Sequence, residues 1–328
     1  MNARMLVALS LLVSVAACSG GGSSLSPSTP KSPADSAVSK QHVKPQDTLG
    51  GVGGKLGTDG DGIDILLGDA PPQIGNLVAS EIDLGVDSVA VVSNGVVTPI
   101  ATFSTPYVVN VMENEGQPSS IGISQYYTGT YDHIQFTFDV ASSKVVAGGA
   151  NYPISFLTSS ALSTAGAGST TTTTAANGAV TVTVAGNFLD GGSPASAVQA
   201  DFNALESLAQ NASGGIISRP ALFAVPFDEA GKVDGTVLNA QGAPVSNATV
   251  AAFDANGNLG NTGITDSTGA FELRTLAAGN WHLVIYNTYT TATGQTLNAS
   301  GNTSSGQVSG PSVTVTGGNT AQAGSIAD

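Results

Sequence analysis

The chain has 328 residues, with 9 Lys and Arg against 23 Asp and Glu, a formal charge of −14, and only 10% charged residues. This balance excludes nucleic-acid binding, which needs clustered basic side chains to displace counterions from phosphates. A single cysteine excludes an intramolecular disulfide, so the folded parts rely on packing. Abundant Thr, Ser, Val and Ala with 42 Gly is a composition of short strands and many turns, and the length leaves room for two domains.

Residues 1–17 read as an export signal. Arg4 supplies a short positive region, and Met5–Ala17 is apolar apart from Ser10 and Ser14, too short to span a bilayer. Val15-Ala16-Ala17-Cys18 resembles a bacterial lipobox. The resemblance implies cleavage before Cys18 and acylation of its thiol, palmitate being a typical chain. Each buried CH₂ contributes roughly 0.8 kcal/mol, and stable anchoring takes more than one acyl chain. Ser19 stands where an inner-membrane retention signal would have Asp, so lipoprotein sorting rules imply the outer membrane in a diderm cell. The expected location is therefore the bacterial cell envelope, with membrane lipid as the first partner.

Residues 18–60 form a linker rich in Gly, Ser, Pro and Lys without apolar periodicity. As a flexible coil it reaches about 30–40 Å. Gly50-Gly51-Val52-Gly53-Gly54-Lys55 lacks the glycine spacing and the Ser/Thr of a phosphate loop. No cofactor is expected. Asp59, Asp61 and Asp64 place three carboxylates on a Gly-containing entry loop, a candidate Ca²⁺ site that lacks the downstream Glu of an EF-hand.

Residues 61–228 form the first expected domain. Ile63–Leu67 reads as a strand, and Ser93-Asn94-Gly95 as a hairpin turn between Ser88–Val92 and Val96–Ile100. Ile134, Phe136, Phe138 and Val140 recur at period two, the clearest half-buried strand of the chain. Lys144–Val146 turns at Gly148-Gly149 into Tyr152–Leu157, and Ala179–Val184 and Val198–Phe202 read as further strands. Asn203–Gln210 suits a short helix, and Ser169–Thr174 reads as an inserted loop. Leu66-Leu67-Gly68-Asp69-Ala70-Pro71, Thr128-Gly129-Thr130-Tyr131 and Ala200-Asp201-Phe202 resemble motifs of the bacterial lipoprotein domain family DUF4382. That family has no established activity, so the resemblance implies fold and location rather than chemistry.

Residues 231–328 form the second. Turn signals recur there every 8–12 residues, as in a small β-sandwich. Gly235 and Val237, then Pro244-Val245, Ala248 and Val250, then Thr265-Asp266, Gly269 and Phe271, then Leu276, Gly279 and Trp281 follow in order. They resemble the carboxypeptidase regulatory-like domain, whose transthyretin-like or carbohydrate-binding-like β-sandwich implies a non-catalytic module. Ser312–Thr316 is expected as its last long strand and Thr288–Gly310 as a long polar loop.

The expected architecture is all-β, two β-sandwiches in tandem after a lipidated leader and linker. The expected function is binding or scaffolding, with carbohydrate or envelope proteins as partners. Trp281, Leu283 and Ile285 share one strand face and belong in the core, which leaves Tyr286 and Tyr289 as the candidate sugar contacts. The rival reading is an envelope-polymer hydrolase built on Asp132, Asp139 and Asp201, which would have to converge in one groove. His42, His133 and His282 lack metal-ligand spacing.

Overall fold

The computed structural model describes residues 63–68, 73–74, 77–112, 119–121, 129–157, 170–176, 178–190, 196–226, 228–291, 293–300 and 306–327. The leader, Cys18, the linker, His42, Asp59 and Asp61 lie outside these residues.

The chain is almost entirely β. In order it carries β1 (Ile63–Gly68), β2 (Gln73–Ile74), β3 (Leu77–Ser93), β4 (Val96–Asn110), β5 (Ser119–Ser120), β6 (Gly129–Ala147), β7 (Ala150–Phe156), β8 (Thr170–Ala176), β9 (Ala179–Asp190) and β10 (Ser196–Phe202). The single-turn helix α1 (Ala204–Ser207) leads to β11 (Leu208–Gln210), β12 (Ile216–Ser218), β13 (Leu222–Pro226) and β14 (Ala230–Leu238). Then come β15 (Thr249–Phe253), β16 (Leu259–Ile264), β17 (Ala270–Ala277), β18 (Gly279–Tyr286), β19 (Thr288–Thr290), β20 (Thr296–Asn298), β21 (Gln307–Val315) and β22 (Thr320–Ala327).

Strand β6 organises the N-terminal half. Its alternation places Ile134, Phe136 and Phe138 on one fully buried face, while Gln135 and Thr137 are half-buried on the other. It pairs antiparallel with β3 on one side and with β9, then β7, on the other. The strand bulges where Val140–Ser143 faces a single residue of β3. There Asp139 accepts the Ser142 N–H at 2.7 Å, and Gly85 N–H donates to Ser143 Oγ at 3.1 Å. A second sheet, in the order β13-β10-β1-β5, sends Val198, Ala200 and Phe202 into the same core. The β3–β4 hairpin turns at Asn94 (φ 49°) and Gly95 (φ 78°), the two positive angles of a type I′ turn.

The C-terminal half has its own core between a three-stranded sheet, β17-β14-β22, and a four-stranded one, β16-β15-β18-β21. Val233, Val237, Leu273, Leu283 and Ile285 are buried between them. Burial of each such side chain contributes about 1.5–3 kcal/mol.

One turn chemistry recurs five times, at Asn211, Asn239, Asp254, Asp266 and Thr291. In each, the side-chain oxygen of the first residue accepts the N–H of the fifth, and a glycine with positive φ stands fourth. Such residues mimic a backbone turn with their own side chains. At Gly269 the demand is strictest. Its φ is +78°, and a Cβ there would overlap the Val237 carbonyl oxygen.

Four segments differ from the sequence expectations. The Thr-rich stretch is not a loop, because Thr170–Ala176 is β8, paired along β9. Thr288–Gly310 is not one open loop, because β19 and β20 pair as a hairpin. The last strand is not Ser312–Thr316, whose first four residues belong to β21. The chain ends in β22, which lies parallel to β14. The helix expected over Asn203–Gln210 is cut to Ala204–Ser207, since Leu208 turns extended (φ −119°, ψ 140°) to pair with β12.

Candidate functional site

At one end of the C-terminal sandwich, the β15–β16 turn and the β17–β18 turn stand apart and leave an open cleft of about 320 Å³. Its lining is mostly apolar, with Trp281, Leu259, Ala277 and Ala278, and the polar residues Asp254, Asn256, Asn258 and Asn280 stand on it as well. The residues are held firmly. Slight desolvation opposes it, yet hydrogen bonds from Asn258 and Asn256 keep the Asp254 carboxyl below its usual range. Asn280 Oδ1 accepts Thr314 Oγ at 2.7 Å. The indole lies against Gly260, where a Cβ would collide with the ring, and its N–H donates to the Ala277 carbonyl at 2.8 Å. An aromatic wall beside amides and a carboxylate is the chemistry of a small polar ligand with one apolar face.

Trp281 shares the buried face of β18 with Leu283 and Ile285, as the alternation predicts, and is 8% exposed. The two tyrosines proposed from sequence do come together, with ring centroids 5.2 Å apart. They do not form an open platform. Tyr289 reaches toward the N-terminal half, where its hydroxyl meets Glu206, and burial first, then that carboxylate, raises its pKa. Tyr286 is half-buried on the outer face of β18.

The three carboxylates of the hydrolase reading serve separate local roles. Asp132 is exposed and pairs with His133 at 3.0 Å, which lowers its pKa. Asp139 holds the β6 bulge, seven residues along the same strand, roughly 20 Å away. Asp201 is buried on another sheet. Asp64 lies in β1, paired opposite Ala197, and the other two carboxylates of the Ca²⁺ reading fall outside the described residues. Among the described residues no group of three or more His, Cys, Asp or Glu could hold a metal ion. His282 Nε2 lies 3.0 Å from Ser309 Oγ on an exposed face, and among the described residues no carboxylate orients the ring for nucleophilic chemistry.

Sequence reasoning missed the polar seam between the two halves. Asn203, Glu206 and Asp201 from the N-terminal half meet Asn261 and Thr262 of β16, all of them buried. One local signal existed. Asn203-Ala204-Leu205-Glu206 has the spacing of a helix cap, and Asn203 Oδ1 does accept the Glu206 N–H at 3.0 Å.

Residues 232–323 match the carboxypeptidase regulatory-like domain. The cleft therefore lies wholly within this regulatory-like domain. Comparison with the curated proteins finds no match. Among solved structures, the chain is similar to a candidate carbohydrate-binding protein of Pseudomonas aeruginosa at 16% identity, over 31% of this chain and 90% of that one, with a TM-score of 0.22. It is similar to the major pilin subunit of Bacillus cereus at 12% identity, over 80% of this chain and 98% of that one, with a TM-score of 0.22. The TIE protein of Bacillus anthracis matches at 9% identity, over 83% of this chain and 40% of that one, with a TM-score of 0.24.

Proposed function

We propose that the protein is a lipid-anchored, non-catalytic binding module of the bacterial cell envelope, and that the regulatory-like domain holds a carbohydrate in the cleft beside Trp281. The cleft carries the reading. It is concave, it combines an indole wall with Asn256, Asn258, Asn280 and Asp254, and its groups are fixed by the turns that carry them. Sugars present C–H faces to aromatic walls and hydroxyls to amides, so the residue types suit that class. The acids of the rival hydrolase are spread over one exposed pair, one bulge and one buried seam, which favours binding over catalysis.

The lipobox-like Val15–Cys18, the linker of residues 18–60 and the DUF4382 resemblance of residues 61–228 complete the proposal. In this proposal the cleft lies outside the cytoplasm, joined to the lipid anchor through residues 18–60. The test uses the chain carrying Cys18→Ser, purified as a soluble protein and presented to an array of envelope and extracellular glycans. Binding is expected, and Ala278→Trp, which fills the cleft from an exposed position, should abolish it without lowering the melting temperature. Glycan binding that survives Ala278→Trp overturns the site. Absence of glycan binding in the parent overturns the ligand class.

A further inference from the structure

The seam between the two halves plays no part in the cleft. Asp201 of β10 accepts Asn261 Nδ2 at 2.7 Å, and the same Asn261 nitrogen donates to the Arg274 carbonyl of β17 at 2.8 Å. Asn203 Nδ2 donates to Asn261 Oδ1 at 2.6 Å and to Thr262 Oγ at 2.9 Å. Thr262 Oγ donates to Glu206 at 3.2 Å, and Tyr289 of β19 reaches the same carboxylate. Gln199 Nε2 donates to Thr275 Oγ at 2.8 Å.

Two carboxylates are buried here, and each half contributes what the other needs. The groups around Asp201 come from each packed element. Arg274 of β17 is the nearby cation, and Glu272 of the same strand, paired with Lys232 of β14, shares that guanidinium. Glu206 of α1 and Tyr289 of β19 lie further along the seam. From β16 Asp201 meets the neutral Asn261, and its register partners are Phe223 on β13 and Gly68 on β1, neither of them titratable.

We propose that this seam is a latch between the two halves that closes more tightly in mild acid and loosens as the pH rises toward neutrality. A carboxyl sealed in the seam loses its water, and one released from it regains water, so the closed form holds the proton more tightly. Burial raises the Asp201 pKa from 3.8 to about 6, against the hydrogen bond from Asn261 and the charge of Arg274. The sign is fixed by that direction. Closure is strongest below the open-form value of 3.8, weakens as the pH rises from there to about 6, and is level above it. The change in the closure equilibrium over that window is about a hundredfold. For a tethered binding module, the latch would set whether the cleft moves with the N-terminal half or independently of it.

The test places spin labels at Asn151→Cys and Ser312→Cys, both exposed, one in each half, in the full chain carrying Cys18→Ser. Interspin distances are then recorded from pH 4.5 to 8. A narrow distribution at pH 4.5 that broadens as the pH rises to about 6 and changes no further above it is expected. Asp201→Asn, which keeps the shape but cannot ionise, should broaden less over the same range, because Glu206 is the only seam carboxylate left to titrate. Should that variant fold poorly, Arg274→Gln gives the second arm, because loss of the cation should move the midpoint upward. A distribution unchanged by pH in the parent overturns the latch. So does the same pH response in Asp201→Asn, or an unmoved midpoint in Arg274→Gln.

Discussion

Asn203 Nδ2 lies 2.6 Å from Asn261 Oδ1, while Asn203 Oδ1 accepts the Glu206 N–H that opens α1. One side chain thus caps the helix with its oxygen and ties the second sandwich to the first with its nitrogen. Replacing it with Ala removes the cap and leaves buried Asn261 and Thr262 with lost partners. The expected destabilisation is about 2–4 kcal/mol. Asn203→Asp keeps the cap oxygen but removes the donor and adds a charge beside Glu206, so it should also destabilise. Urea denaturation of the three proteins checks this, and an Asp variant as stable as the parent would show that the nitrogen contributes nothing.

Gly269 sits fourth in the Asp266 turn with φ +78°, and a Cβ there meets the Val237 carbonyl. Gly269→Val should lower the stability of the full chain by more than about 1 kcal/mol through backbone strain and that overlap. Asp266→Ala at the same turn loses the carboxylate that accepts from the Thr268 and Ala270 N–H groups, and should cost less, about 0.5–1.5 kcal/mol. Thermal melts of both variants give the order. The reverse order would mean that the turn is held by its side chain rather than by its glycine.

Asp83 is buried in β3, with Lys144 of β6 at 3.3 Å. Burial and neighbouring Glu81 raise its pKa, and Lys144 lowers it only in part. Lys144→Met leaves an uncompensated charge at pH 7 and should cost about 3 kcal/mol. A raised folded-state pKa means stability is gained as pH falls through it, so the variant's deficit should shrink toward pH 4. Denaturation at pH 7 and pH 4 reads the difference, and a deficit that grows in acid would contradict the assignment.

The alternation of β6, the side of β18 that carries Trp281, and the turn from Asp266 to Gly269 were legible in the sequence, because each is a local pattern with a local physical cause. Strand β8 was not. Its Thr170–Thr174 run has no apolar face to betray a strand, and it forms only because β9 offers a free edge. Strand β22, mostly Ala, Gly, Gln, Ser and Thr with Ile326 its one large apolar residue, is fixed by parallel pairing with β14 some ninety residues earlier. The seam was hidden for the same reason. Asn203 and Asn261 are 58 residues apart, and nothing near either one announces the other. The cleft needed two turns that are adjacent only once the sheets have packed.

The lipid anchor is tested by fractionation. Cys18→Ser removes the nucleophile that the lipobox-like segment presents for acylation. The variant should appear in the soluble fraction or as unprocessed precursor, while the parent stays with membranes. Metabolic labelling with a fatty-acid analogue should mark the parent alone. A variant that remains with membranes to the same extent as the parent removes lipidation from the proposed function and leaves the cleft untouched.

Trp281 is the only tryptophan, so its fluorescence reports one place. The ring is 8% exposed, lies on Gly260, and donates its N–H to Ala277 inside the protein, while one side lines the cleft. A buried indole emits to the blue of one in water, so the folded chain should show blue-shifted emission. It should be poorly quenched by acrylamide. Truncation to Ala removes the wall of the cleft and an anchor of the second core, and should cost about 3–5 kcal/mol. Binding of a glycan in the cleft should change the intensity without shifting the emission to the red, because the ligand replaces water at one edge of a ring that stays packed on the others. Red-shifted emission in the free protein would place Trp281 on the surface and overturn the assignment of the two faces of β18. Unchanged intensity at saturating glycan, with binding established separately, would move the ligand away from the cleft.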